Sequence, residues 1–127
     1  MREQRVEVLG VAYELIEDFL SHMSKGDYEF LKDKYGVSDA VAVEIRAFLE
    51  ENLDQENVVI LPPPRQIAFN ERGGRVPLAA YGEQDENYCW RVECLLWIGG
   101  RESEITAYFD LFHENEVFRI EYMYLGS

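Results

Sequence analysis

Basic residues are scarce: 12 Lys and Arg stand against 25 Asp and Glu in 127 residues, a formal charge of −13. A surface this acidic repels phosphate backbones and anionic lipid headgroups at long range. Nucleic-acid and membrane-surface binding are therefore disfavoured, and a basic partner is the natural complement. Cysteine is nearly missing too, with only Cys89 and Cys94. Five positions apart in one β-run, they lie about 16 Å apart on opposite faces, beyond disulfide reach. They read as reduced thiols in or near the core. No apolar run approaches the roughly 18 residues of a membrane helix. The opening MREQRVEVLG carries four charges and no small-residue cleavage site, so the expectation is a soluble cytoplasmic protein.

Metal and phosphate motifs are lacking as well. The two histidines, His22 and His113, fall at a helix end and a turn, and no Cys-x-x-Cys, His-Glu-x-x-His or acidic calcium loop occurs. Gly73-Gly74 and Gly99-Gly100 lack the strand-to-helix setting of a phosphate loop and read as turn glycines. Neither a metal nor a cofactor is expected.

What the chain does have is apolar content: 47% hydrophobic and 13% aromatic residues, enough for one sizeable core. A single domain over 1–127 is expected, with a helical layer over 1–54 and an antiparallel sheet over 58–125. Val6, Leu9, Tyr13, Ile16, Leu20 and Met23 make one helical stripe, and Val8, Ala12, Leu15 and Phe19 a second beside it. Two stripes leave little for water, so this helix should be cradled by other elements. Asp27 can cap a short helix carrying Tyr28, Leu31 and Tyr35, with Gly36 to end it. Ser38 can cap a third, whose stripe runs Val41, Ile45, Phe48, Leu49 and Leu53.

After Asp54 the period changes to two. Val58 to Leu61 is a short β-run stopped by Pro62, Pro63 and Pro64, and Gln66 to Phe69 with Val76 to Tyr81 flank a glycine-rich turn as hairpin arms. Pro77 puts the second arm at an edge. Gly82 to Asn87 is a polar loop. Then come Trp90, Val92, Cys94, Leu96 and Ile98, the odd set Ile105, Ala107, Phe109 and Leu111, and Phe118, Ile120, Tyr122 and Tyr124. A one-residue slip would turn a whole face outward, so this reads as a three-stranded antiparallel meander. Pairing Ile98 with Ser103 and Phe112 with Val117 leaves four-residue loops. That register sets Arg91 opposite Asp110 and Asp110 opposite Arg119, each pair worth about 0.2 to 1 kcal/mol. The same outer face carries Leu95, Trp97, Met123 and Leu125, either covered by another segment or serving as a dimer or partner patch.

Helices first and a curved sheet last, with Lys25-Gly-Asp-Tyr28 after the long amphipathic start, resembles the nuclear transport factor two-like, cystatin-like α+β cone. That resemblance implies three N-terminal helices packed on a curved antiparallel β-sheet. Trp90-Arg-Val-Glu-Cys-Leu-Leu-Trp97 followed by Gly100-Arg-Glu-Ser-Glu-Ile-Thr106 is similar to small bacterial proteins, some of which are immunity proteins beside toxins. Enzymes of the cone class need an Asp or His base inside the concavity. The core-facing positions of the meander hold neither, and Asp27, Asp33 and His22 are better read as capping or solvated. No catalytic residue is assigned.

Two features remain as site candidates. Tyr13, Tyr88, Tyr122 and Tyr124 either line an apolar pocket for a small ligand, in a binding or enzymatic cone, or simply fill it. Glu50, Glu51, Asp54 and Glu56 crowd the end of the third helix, where carboxylates oppose the dipole, and Glu83, Asp85 and Glu86 occupy a loop. They are either a solvating face or the binding surface for a cognate basic toxin domain, a polyanion mimic that speeds association with a nuclease.

Overall fold

The computed structural model describes residues 2–54, 58–82 and 89–127, and side chains from residue 7 onward. From residue 7 onward, helix α1 (Arg2–Ser24) turns both its stripes inward, with Ala12, Ile16, Phe19 and Leu20 fully shielded and Leu9 and Leu15 half-buried. Helix α2 (Tyr28–Tyr35) starts where the Asp27 carboxylate accepts the Phe30 N–H at 3.3 Å. It stops at Gly36, whose φ of 70° suits a residue without Cβ. Helix α3 (Asp39–Asn52) is capped by Ser38, whose Oγ accepts the Val41 N–H at 3.2 Å. These three helices pack on a curled antiparallel sheet, a half-barrel, in an α+β fold.

The sheet comprises β1 (Ile60–Leu61), β2 (Leu78–Tyr81), β3 (Cys89–Ile98), β4 (Arg101–Glu114) and β5 (Val117–Gly126). The meander β3-β4-β5 forms as expected, and β1 and β2 share the other edge of β3, Ile60 opposite Ile98 and Leu78 opposite Cys94. Phe19 is the hub between layers. Its ring meets Tyr35 and Phe109 edge-on at 5.3 and 5.2 Å and lies parallel to Tyr122 at 5.5 Å. Each such contact is worth about 0.5 to 1.5 kcal/mol beyond the area it buries.

Several expectations are corrected. Gln66 to Phe69 is not a hairpin arm: Arg65–Ala68 forms a helical turn, α4, because Pro64 enters at φ −53° and its carbonyl accepts the N–H groups of Ile67 and Ala68. The expected second arm shortens to β2, since Pro77 has no N–H for the ladder, although its carbonyl still accepts the Leu95 N–H at 2.8 Å. The meander loops are two residues long, Gly99-Gly100 and Asn115-Glu116, all at positive φ.

Each hairpin also carries an irregularity in its strand pairing. Between β3 and β4 the pairing steps from Leu95–Thr106 to Trp97–Glu102. Ser103 closes the bulge, its Oγ donating to the Leu96 carbonyl at 2.7 Å and accepting the Ile105 N–H at 3.1 Å. Between β4 and β5, Tyr122 faces Phe109 but Tyr124 faces Tyr108, so Met123 is the extra residue. This exchanges the faces beyond Met123. Tyr124, expected in the core, is half exposed and stacks on Tyr108 at 4.3 Å, whereas Leu125, expected outside, joins the core.

Arg91 lies opposite Asp110, as expected, with its Nε 3.2 Å from the carboxylate. The second half of the charge triad is wrong, because the register sets Glu121 opposite Asp110 and Arg119 opposite Phe112. Two like charges thus face each other, and each is answered separately: Arg91 holds Asp110, and Arg119 holds Glu121 at 2.6 Å.

Candidate functional site

The first acidic cluster sits at the end of α3. Glu50, Glu51 and Asp54 are all exposed, and the last turn carries no basic residue to answer the dipole. Asn52 relieves one carbonyl there, its side-chain amide donating to the Phe48 carbonyl at 2.9 Å. Glu44 is exposed on the same helix, and none of these four carboxylates has an ion-pair partner among the described residues. Glu56, the loop cluster Glu83, Asp85 and Glu86, and Tyr88 lie outside the described residues.

Beside this face opens a cleft of about 580 Å³ between the end of α1, α3 and β1. Its apolar floor includes Met23 and Ile60, both almost wholly buried. Its rim mixes signs, with Lys25 and Arg46 against Glu50 and Asp54. The Arg46 guanidinium rests over the Tyr28 ring, 5.0 Å from its centroid.

The tyrosines do not converge on one pocket. Tyr13 is buried, and its hydroxyl donates to the Pro63 carbonyl at 2.8 Å while Arg65 covers the ring at 4.3 Å. Burial and, after it, the charge of Glu17 raise its pKa. Tyr122 packs on Phe19, its pKa also raised by burial first. Tyr124 faces the other way. Cys94 is fully buried, which pushes its thiol far up, and Cys89, half-buried, is raised by burial and by Asp110; both are free thiols.

The expected apolar patch does not form one surface. Leu95 is buried; its N–H donates to the Pro77 carbonyl beside it at 2.8 Å, and Arg75 of the same segment reaches its β4 partner Thr106, donating to Oγ1 at 2.7 Å. Leu125 belongs to the core, Trp97 is half-buried, and Met123 is exposed.

A polar cluster that sequence reasoning missed joins α1 to α2. Asp18 accepts from the Tyr35 hydroxyl at 2.6 Å and from Lys34 Nζ at 2.8 Å. His22 stands between Asp18 at 3.6 Å and Asp27 at 3.3 Å, its ring flat on Phe30. Burial would raise the Asp18 carboxyl, but the hydrogen bonds from Lys34 and Tyr35 outweigh it and hold the pKa below its ordinary value. The four-residue step from Asp18 to His22 was the available signal; Lys34 and Tyr35 come from another helix.

Among the described residues the buried polar side chain is Thr106, and no group of three or more His, Cys, Asp or Glu is placed to hold a metal. No helix is long and apolar enough to cross a membrane. Comparison with family models, curated proteins and solved structures gave no match for this chain.

Proposed function

We propose that this chain is a non-catalytic acidic binding protein that engages a basic protein partner, in the manner of an immunity protein neutralising a cognate bacterial toxin. The observation that carries the reading is the run of exposed carboxylates Glu44, Glu50, Glu51 and Asp54 on and just after α3, without an ion-pair partner among the described residues, on a chain of net charge −13. Exposed carboxylates of one sign can steer a cationic surface and stand in for the phosphates a nuclease would grip. The neighbouring cleft offers an apolar floor for a side chain of that partner. The nuclear transport factor two-like cone and a cytoplasmic setting, where the two free thiols stay reduced, belong to the same proposal.

The test is a binding measurement against basic proteins encoded beside the gene, at two salt concentrations. The expected result is salt-sensitive association, weakened at least about tenfold by Glu50→Lys, Glu51→Lys and Asp54→Lys combined or by Glu83→Lys, Asp85→Lys and Glu86→Lys combined. Binding that neither triple reversal alters would overturn it. A second reading, small-ligand binding, is favoured by the cleft itself, whose mixed-sign rim suits a zwitterion.

A further inference from the structure

We infer that β5 is a self-pairing edge, by which two copies of this chain join their sheets in antiparallel fashion about a two-fold axis at Ile120. The strand ends the sheet: β4 lies on one side of it, and among the described residues no strand pairs with the other. A ten-residue edge leaves a row of backbone donors and acceptors without ladder partners. A notch of about 270 Å³ opens beside its middle, lined by Glu121 and Tyr122 and by the turn between α2 and α3.

The occupant is read from the strand's own sequence. About Ile120, Val117-Phe-Arg-Ile-Glu-Tyr-Met123 is complementary to its reverse. Antiparallel pairing of two copies at this register sets Arg119 opposite Glu121 of the second copy, and the same pair recurs on the other side of the axis. Phe118 meets Tyr122, and Ile120 meets its own equivalent. Val117, 64% exposed, meets Met123, 42% exposed, so two apolar side chains that water now covers shield each other. Shifting the register by two residues would set like charges against each other, which makes the alignment selective. Arg119 already holds Glu121 within the chain at 2.6 Å, so pairing extends this into a square of four alternating charges. A strand pair of this length is a small interface, and the dimer should therefore depend on concentration.

The test is mass by sedimentation equilibrium over about 1 to 500 µM, in about 0.15 M salt to screen the repulsion between two acidic chains. Wild type should rise from 14.9 kDa toward twice that mass. Arg119→Glu leaves only carboxylates at the two positions and Glu121→Arg only guanidinium groups, so each variant alone should stay monomeric. An equimolar mixture should dimerise, because each chain then supplies what the other lacks while neither regains its internal ion pair. A wild type that stays monomeric throughout, single variants that dimerise as well as wild type, or a mixture of folded variants that stays monomeric would each overturn the inference. Should either variant lose its circular dichroism, hydrogen exchange on wild type replaces it: outward amides of β5 should gain protection at high concentration, and equal exchange at both ends of the range would refute the pairing.

Discussion

Replacing Leu125 by Ala should destabilise the protein more than replacing Tyr124 by Ala, although an uninterrupted alternation along β5 would give the reverse order. The bulge at Met123 is the cause, since it carries Leu125 into the core and turns Tyr124 to the outer face. Leu125 is only 9% exposed, and truncating a buried Leu costs about 2 to 4 kcal/mol through lost transfer energy and the cavity left behind. Tyr124 is 50% exposed and its main contact is the stack on Tyr108, so its truncation should cost about 1 kcal/mol. In urea, with a slope of about 1 to 3 kcal/mol per molar, the first change should lower the midpoint by about 1 to 2 M and the second by about half a molar. Equilibrium unfolding followed by far-ultraviolet circular dichroism reads both midpoints, and equal slopes would show that the denatured states are comparable. A larger loss for Tyr124→Ala would mean that the strand runs without the bulge, and the face exchange would have to be abandoned.

Two further outcomes are expected. The lowered pKa of Asp18 means that its stabilising effect is complete above its ordinary 3.8 and is lost as the pH falls through the lower folded value; Asp18→Asn should flatten the acid limb of a stability–pH curve. An unchanged acid limb in that variant would show that the Asp18 cluster adds nothing. Glu116 holds φ of 63° in the β4–β5 turn, a region that glycine enters without strain, so Glu116→Gly should stabilise by about 0.5 to 1 kcal/mol in the same urea titration. A destabilised variant would contradict the two-residue turn.

The elements that local chemistry specifies could be read directly. Asp27, Gly36 and Ser38 end or begin helices through bonds to backbone groups within a few residues, and each does so here. The meander was legible for a similar reason: period two commits a strand's whole apolar set to one side, and Val92, Cys94, Phe109 and Leu111 are all buried. Parity, however, cannot count residues absorbed by a bulge. The register of Arg119 was off by two because the turn takes two residues rather than four, and the bulge at Met123 exchanged the faces of Tyr124 and Leu125. Gln66 to Phe69 could be strand or helix on pattern alone, and the bond geometry after Pro64 chose the helix.

The candidate sites divide along the same line. That Glu50, Glu51 and Asp54 would be exposed followed from their place outside the apolar stripe of α3. That they border a cleft with Lys25 and Arg46 on its rim did not, because the cleft exists only where α1, α3 and β1 meet. Leu95 is flanked by a segment nearly twenty residues earlier, and Asp18 found Tyr35 and Lys34 across a helix crossing. Composition, caps and periodicity act within a few residues, so the chain alone determined its layers, its helix ends and its acidic surface. Bulges, coverings and side-chain clusters arise from contacts between distant segments, and only the packed tertiary structure decided them.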